Sequence, residues 1–503
     1  ASSLPRTRPR FEDTAWNQGL LKESGVYWKH FVKIMEFPSH AVFLAVLQTA
    51  FLVLFALFVR YHPNADSRYA SPTSAMRELI KERGENEADP MEHALLYPMF
   101  QDVHVMIFLG IGFLLTFLKR YGFSSVGYNL MIGVVSMEWA LLVTGFFHMH
   151  EHHGTIPVNL AGLLAAEFSA ATVLISFCVV LGKTTPNQLL VMAMLEIPIY
   201  ITNEYIGRSY IGAVDIGDGM FIHLFAAMFG LAVSFVLQRP DQETVKLGST
   251  KTSDLFAMVG SIFLWLFWPS FNAAFAVGAA QHRTIINTYV SLTGCTVTTF
   301  FTSAFVHPNR KFDMVHIANA SLAGGVVMGS IGDMMVQPAG ALGAGCAAGL
   351  ICSLGFTYIT PWMHSKLRIH DICGVFNLHG MPGLLTGLLS VLLAGIASEE
   401  GYGYSLYSIF PLRAPHNGTE HLEEIQAVMN VQASEGRSAL QQAGAQAAAL
   451  LMCIVVPTVG GLVTGLVMRS PAINILTADE FYDDQKYWRM EEEQVGDSSG
   501  TTK

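Results

Sequence analysis

The sequence predicts an all-α polytopic membrane protein with twelve transmembrane helices and an inverted five-plus-five helix repeat. Of its 503 residues, 51% are hydrophobic and only 14% are charged, and the mean hydropathy is +0.40. A soluble protein would carry roughly 25% charged residues. A unit with Asp eight residues before His occurs twice, as DIGDGMFIH from Asp215 to His223 and as DICGVFNLH from Asp371 to His379. Composition therefore indicates a membrane protein, and the repeated unit indicates two related halves.

The predicted spans are apolar segments, most of them near the twenty residues that cross a bilayer as a helix. Twelve such segments lie at about 41–61, 102–118, 125–147, 157–181, 188–206, 215–237, 255–280, 284–306, 314–334, 338–362, 372–397 and 441–468. The first is an addition ahead of two halves of five, 102–237 and 255–397, and each half ends on an Asp-to-His helix. Because five is odd, the second half crosses the membrane in the opposite direction, which is the inverted repeat of many transporters.

The residues outside the spans divide the chain into three regions. Residues 1–40 form a polar arm, 41–468 the transmembrane transporter domain and 469–503 a tail. Lys and Arg are more numerous on the side that holds the arm and the tail. Both termini are therefore expected in the cytoplasm, and the long loops 62–101 and 398–440 outside. No region is basic and aromatic enough to bind nucleic acid.

The loop 398–440 also carries the sequon Asn417-Gly418-Thr419. Its predicted location outside the cell makes Asn417 available for N-glycosylation, with an unmodified loop residue as the alternative. A second sequon, Asn319-Ala320-Ser321, lies inside a predicted span and is expected to stay unmodified.

The two Asp-to-His units place ionisable side chains inside membrane-spanning helices. Such residues are energetically costly there and usually face a cavity or a partner. Eight residues put Asp and His on roughly the same helix face, about 12 Å apart. For either histidine alone, a hydrogen-bonded core residue is an equally good interpretation. The repetition favours a shared site near the membrane midplane, at which His223 and His379 face each other.

Several long stretches carry a family resemblance. They read FQDVHVMIFLGIGFLLTFLKRYGFSSVGYN, SDLFAMVGSIFLWLFWPSFNAAF, QHRTIINTYVSLTGC, FDMVHIANASLAGGVV, FNLHGMPG and, in the tail, FYDDQKYWRM. From about residue 41 to 490 the chain resembles the Rh glycoproteins of the ammonium transporter/Rh superfamily. The resemblance implies a homotrimer of twelve-helix protomers in the plasma membrane, with one ammonia pore in each protomer. It implies no enzyme activity and no cofactor.

The resemblance also implies roles for six residues. His223 and His379 match the twin histidines of the family's pore, and Phe168 with Phe271 matches the stacked phenylalanine gate at its outer mouth. Without the resemblance, each phenylalanine would be interpreted as core packing. The acidic residues near the two vestibules match Asp215 on the outer side and Asp371 on the inner side. For both carboxylates, attraction of the cation and a structural hydrogen bond to helix ends remain open.

Four residues depart from the usual family pattern. Asp218 adds a carboxylate, Phe376 replaces a polar residue, Glu138 replaces glutamine, and Glu167 stands where aspartate is familiar. These departures concern the polarity of the pore walls and leave the class unchanged.

The chemistry of the solute indicates which species crosses. Burying an ammonium-sized ion costs on the order of 20 kcal/mol by the Born estimate, and several even after relaxation. Neutral ammonia costs only a few. We therefore expect ammonium, or its analogue methylammonium, to be deprotonated near the outer gate. Ammonia then passes His223 and His379, whose imidazoles both donate and accept hydrogen bonds. Whether the proton also crosses stays open.

Three other functions compete with ammonia conduction. The cluster His148-Met149-His150-Glu151-His152-His153 has the imidazole content of a zinc or copper site, although a solvated or pH-sensitive loop is the simpler interpretation. A pore that passes neutral ammonia has no obvious means of excluding carbon dioxide. A non-transporting sensor on the same fold is the third possibility, and Phe376 is its one indication.

Overall fold

A computed structural model describes residues 38–62, 65, 90–149, 154–238, 246–473 and 476–490. The arm up to residue 37 and most of the loop 62–101 lie outside the described residues. By internal contacts the chain forms two units, residues 1–53 and 54–503. The second unit contains all the spans after the first.

Among the described residues, eleven helices are long and apolar enough to cross a membrane, and a shorter apolar helix completes the set of twelve. In chain order they are α1 (Ser39–Phe58), α2 (Leu96–Phe117), α3 (Gly122–His148), α4 (Leu160–Val179), α5 (Pro186–Ile211), α6 (Gly219–Leu237), α7 (Lys251–Ala273), α8 (Gly278–Val306), α9 (Met314–Val327), α10 (Gln337–Leu367), α11 (Phe376–Ile396) and α12 (Ala439–Met468). The predicted twelve-helix fold is confirmed. After α1, the five helices α2–α6 and the five helices α7–α11 form the two inverted halves, and α12 follows them.

Three spans begin with a capping box, in which a hydroxyl and a polar side chain three residues later satisfy backbone N–H groups of the first turn. Thr185 and Gln188 begin α5 in this way, and Ser438 and Gln441 begin α12. At the start of α7 the pair is Thr250 with a serine three residues later. These caps fix where the helices enter from the loops.

The ninth helix is shorter than predicted, because α9 ends at Val327 and the predicted segment runs to 334. The Gly329 carbonyl accepts a hydrogen bond from the Gly217 N–H at 2.7 Å, just before α6. A Cβ atom on Gly329 would lie 2.6 Å from the Cα of Gly219. The chain therefore leaves the helix where two glycine backbones touch.

Small residues also let α6 and α11 cross closely. A Cβ atom on Gly219 would lie 2.6 Å from the Thr386 side chain, and one on Gly383 would lie 3.0 Å from the Leu224 backbone nitrogen. Close approach of helices at small residues is typical of membrane proteins. At this crossing, the helix that carries His223 meets the helix that carries His379.

Different segments cover the two ends of the helix bundle. The loop 398–440 lies at the end called outer here, and it forms the short helices Glu399–Tyr402, Leu406–Ile409 and Glu420–Gln426. Val59–Tyr61 and Ile156–Val158 pair as two parallel strands, which are not predicted from the sequence.

The tail covers the opposite end, called inner here. The Asp484 carboxylate accepts hydrogen bonds from the Phe123 and Ser124 N–H groups at the start of α3, each at 2.8 Å. The Trp488 indole donates to the Ser124 hydroxyl at 2.8 Å. The tail therefore caps a span whose first turn would otherwise lack acceptors.

Candidate functional site

The two predicted histidines lie against each other inside the bundle. Their Nδ1 atoms are 3.1 Å apart, and their rings stack with centroids 5.1 Å apart at 21°. His223 is 2% exposed and His379 is 9% exposed. Two neutral imidazoles share one proton across such a contact, so one ring has a donor and the other an acceptor at Nε2. The Nε2 of His223 has no partner within the described part of the chain, and it is therefore available to a solute.

Each histidine is placed by a wide, π-helical turn at the start of its helix. The turn Gly219–Leu224 holds His223, and the turn Phe376–Gly380 holds His379. π-helical turns are rare and occur frequently at functional sites. The sequence predicts ordinary helix at both places, because a π-turn leaves no clear mark on hydrophobic periodicity.

The two predicted carboxylates hold these turns. Asp215 accepts the N–H groups of Met220 and Phe221 on one oxygen, Oδ2, at 2.8 and 2.9 Å. Asp371 accepts the N–H groups of Val375 and Phe376 on its two separate oxygens, each at 2.9 Å. A helix start offers N–H groups without partners, and a carboxylate is the favoured acceptor there. Of the two roles left open, this geometry favours the structural one.

The histidines line a small apolar cavity. Its volume is about 30 Å³, room for one or two molecules the size of water. The other lining residues are apolar or weakly polar: Met106, Ile107, Ile111, Leu114, Ala171, Ile175, Cys178, Leu264, Trp268, Phe271 and Leu378. Phe376 is not among these lining residues, so its side chain does not block the described cavity.

The two predicted gate residues stack on each other above this cavity. The rings of Phe168, from α4, and Phe271, from α7, are 4.3 Å apart at 19°. Phe271 also lies 5.7 Å from the ring of His223. Further along α4, the cavity-lining residues Ala171 and Ile175 follow Phe168 at helical spacing. One face of α4 therefore supplies both Phe168 and part of the cavity wall below it.

An outer cavity of about 250 Å³ lies on the other side of the phenylalanine pair, and Phe168 is part of its lining. Charged side chains also line it. The Arg208 guanidinium bonds to Glu204 at 2.9 Å, to the Asp218 carboxylate, and to the Asp215 backbone oxygen at 3.1 Å. Neither Arg208 nor Glu204 was predicted from the sequence as a site residue. The spacing of four residues between them was the available signal.

The inner cavity is smaller and less polar. Its volume is about 20 Å³, and it shares Leu114 with the histidine cavity. Asp254 and Asn319 are the polar side chains in its lining. Nearby on the inner side, the Lys183 ammonium donates to the His370 backbone oxygen at 2.7 Å. The three cavities thus follow one another: the phenylalanine pair lies between the outer cavity and the histidine cavity, and Leu114 lines both the histidine cavity and the inner cavity.

Two other predicted sites lie away from this path. Asn417 is exposed in the outer loop, and the Thr419 hydroxyl of its sequon accepts the Leu422 N–H at 3.3 Å as the cap of a short helix. Of the histidine cluster, only His148 and Met149 are described, and residues 150–153 lie outside the described residues. Within the described ranges, no three His, Cys, Asp or Glu side chains form a group suited to a metal ion.

Glu167, the departure beside the gate, is fully buried and is paired with His104 of α2. The side chain of His104 is 49% exposed. Neither residue lines the outer cavity or the histidine cavity. Glu167 therefore joins α4 to α2 and leaves the polarity of the cavity walls unchanged.

Comparisons with known proteins agree with this architecture. The model of the Ammonium Transporter Family matches residues 80–487. The Homo sapiens protein named ammonium transporter Rh type B is 46% identical over 460 residues, which cover 91% of this chain and 93% of that protein. The Danio rerio protein of the same name is 44% identical over 450 residues, with 88% of this chain and 91% of that protein covered.

Solved structures share the fold. That of Nitrosomonas europaea Rh50, described as a member of the Rhesus protein family of channels, has a TM-score of 0.63 and 30% identity. It covers 78% of this chain, and 91% of its own chain is matched. Saccharomyces cerevisiae Mep2 has a TM-score of 0.63 at 17% identity, covering 83% of this chain and 96% of its own, and shows the fold alone.

Proposed function

The chain belongs to the ammonium transporter family, and from this premise we propose that it conducts neutral ammonia past His223 and His379. Members of this family are membrane channels and transporters and not enzymes, so the chain is an ammonium transport protein of the Rh type. The observation that carries the proposal is the unpartnered Nε2 of a buried histidine, in a cavity that admits one or two small molecules.

The selected species follows from the walls of this cavity. Nearly all of the solute arrives as ammonium, because its pKa lies well above neutral pH. The apolar lining offers no carboxylate to replace the water that a cation would lose, and the cost of burying the ion is several kcal/mol even after relaxation. Ammonia needs only hydrogen-bond partners, and the paired imidazoles supply both a donor and an acceptor. Ammonium therefore gives up its proton to water in the outer cavity, and this proton returns to the outer solution.

The phenylalanine pair separates the two environments. The stacked rings of Phe168 and Phe271 lie between the charged outer cavity and the apolar histidine cavity. A hydrated cation is too large to pass the stacked rings, whereas a brief movement of one ring admits a single small neutral molecule. Asp215 and Asp371 hold the two histidine helices in position and make no contact with the solute in this mechanism.

The setting in the cell completes the proposal. We assign the protein to the plasma membrane as a homotrimer, with both termini cytoplasmic. N-glycosylation of Asn417 is supported by its exposure in the outer loop. An Asn417→Gln variant tests this by a mobility shift, and it leaves the Thr419 cap of the neighbouring helix intact. Cross-linking in native membranes tests the trimer.

Carbon dioxide is the second candidate solute, because the lining of the histidine cavity has no feature that rejects a small uncharged molecule. Stopped-flow pH traces of proteoliposomes separate the candidates. An ammonium pulse should raise the internal pH faster than in protein-free liposomes. A carbon dioxide pulse lowers the internal pH, and a faster fall than in the control would add this gas to the solutes. No acceleration by either pulse would contradict the proposal and favour a sensor.

A further inference from the structure

Arg208 places a positive charge in the outer cavity, where the solute arrives as a cation. Its side chain is 37% exposed, Glu204 is 28% exposed, and Asp218 is 2% exposed. The guanidinium bonds to both carboxylates and lies 5.1 Å from the centre of the Phe221 ring. Two carboxylates beside an aromatic face are what a small cation binds in a protein. In this protein the Arg208 side chain fills this position.

Asp218 has a backbone conformation that favours glycine, with φ at +54° and ψ at +38°. A side chain in this left-handed region costs about 1 kcal/mol or more. Glycines stand on both sides of Asp218, and each touches another helix closely. Glycine fits this backbone better, and aspartate is one of the few side chains that tolerate it. Its described partner is the Arg208 guanidinium, which also bonds to the Asp215 backbone oxygen at 3.1 Å.

We propose that Arg208 is a built-in competitor of ammonium: it occupies the cation position formed by Glu204, Asp218 and Phe221, and so gives the outer cavity a weak affinity for the cation. The proposal rests on the function proposed above. Arrival of ammonium then depends on its concentration in the solution outside, and the cavity does not concentrate it. Asp215 lies below this position and is common to every variant compared in the test.

The test measures KM and maximal rate of methylammonium uptake in cells, with the amount of protein at the surface measured for each variant. Arg208→Gln should lower KM roughly three- to tenfold with little change in maximal rate, because one repelling charge a few ångströms from the cation is removed. Arg208→Lys should keep a KM near that of the unaltered protein. Asp218→Gly and Glu204→Gln should raise KM, and all these shifts should shrink at high salt.

Two further variants control for misfolding and for the effects of distant charges. Arg208→Gln leaves the buried Asp218 carboxylate without its partner, which destabilises a protein. The double variant Arg208→Gln with Asp218→Gly removes both charges, and its KM should fall below that of Asp218→Gly alone. Glu400→Gln changes the charge of the outer loop outside the cavity lining and should leave KM unchanged.

The possible outcomes separate this inference from the proposed function. An unchanged or raised KM in Arg208→Gln, and in the double variant relative to Asp218→Gly, would overturn the role of Arg208. In that case uptake by the unaltered protein would still support ammonia conduction. If the unaltered protein gives no uptake above control cells, the proposed function itself fails.

Discussion

The two histidine helices begin alike, α6 at the outer end of the bundle and α11 at the inner end, but the surroundings of the two helix starts differ. At both ends a buried aspartate accepts two backbone N–H groups of the first turn. At the outer end the space beyond is a cavity of about 250 Å³ with a guanidinium and two carboxylates. At the inner end it is about 20 Å³ and lined mainly by apolar groups. The shared aspartate therefore holds the helix start at both ends, and the charge cluster around Arg208 is found only in the lining of the outer cavity.

A basic side chain holds the backbone just before the histidine helix at both ends. Arg208 donates to the Asp215 carbonyl, and Lys183 donates to the carbonyl of His370, the residue before Asp371. Lys183 also donates to the Ser234 hydroxyl, whereas Arg208 bonds to carboxylates. The structural need is therefore met at both ends, and the acidic partners are the addition that distinguishes the outer one.

The largest difference between the ends is expected from replacing each aspartate by asparagine. Asp215 uses one oxygen for both bonds, and asparagine retains such an oxygen. Asp371 uses both oxygens, so asparagine would turn an NH₂ group toward a backbone N–H. A buried donor without a partner costs roughly 1–3 kcal/mol. Asp371→Asn should therefore lower the free energy of unfolding more than Asp215→Asn, as measured by denaturant unfolding in detergent.

Alanine at the two positions provides the control for this pair. Asp215→Ala and Asp371→Ala each remove every acceptor oxygen, so the two should be destabilised to a similar extent. Equal effects of the two asparagine variants would show that the number of oxygens used does not matter. A raised KM for methylammonium in Asp215→Asn alone would show that this carboxylate also attracts the cation.

A smaller and local effect is expected where the tail covers the inner end. Trp488→Ala removes the indole bond to Ser124 and the contact with the Tyr128 ring, whose centre lies 5.8 Å away. The tail should then separate from α3 more often, and trypsin should cut after Lys486 at least several-fold faster under native conditions. Met490→Ala, at an exposed tail position, is the matched control. Identical cleavage rates in both variants would contradict the docking role of Trp488.

The smallest expected effect is a pH dependence of thermal stability that originates in the outer loop. Hydrogen bonds to Glu424 and Glu399 raise the pKa of His421 above its usual value. The folded state therefore binds the proton more tightly than the unfolded state, whose pKa is about 6.5. This stabilisation is complete below about pH 6.5 and is lost as the pH rises through the folded pKa. Thermal unfolding should occur at lower temperature as the pH rises through that window.

His421→Gln should flatten this pH dependence above about pH 6.5, the pKa of histidine in the unfolded state. Glu400→Gln, which changes a neighbouring charge in the same loop, should leave it in place. A slope that persists unchanged in His421→Gln would assign the titration to another group.

Much of the fold could be predicted because hydrophobic segments near twenty residues have few alternatives in a long apolar chain. The repeated Asp-to-His unit was enough to predict that His223 and His379 face each other. The early end of α9 escaped prediction, because it depends on the contact between the Gly329 and Gly219 backbones. No local pattern in the sequence reports such a contact.

The site was only partly predictable for a related reason. The phenylalanine pair, Phe168 and Phe271, could be selected only through the family resemblance, since two stacked core rings and a gate have the same sequence signature. Arg208 and Asp218 are ten residues apart and are joined across a helix end, which hydrophobic periodicity does not describe. Repeated units and apolar faces are visible in a sequence, whereas a charge pair at an irregular turn is visible only in the structure.

The most direct test of the central claim is methylammonium uptake by a variant with leucine at both His223 and His379. Leucine is close to histidine in volume and supplies no donor or acceptor, so the packing around the cavity is kept while both imidazoles of its described lining are removed. We predict that uptake falls to the level of control cells while the amount of protein at the cell surface stays normal. Uptake at the normal rate in this variant would show that the solute crosses elsewhere and would contradict the account.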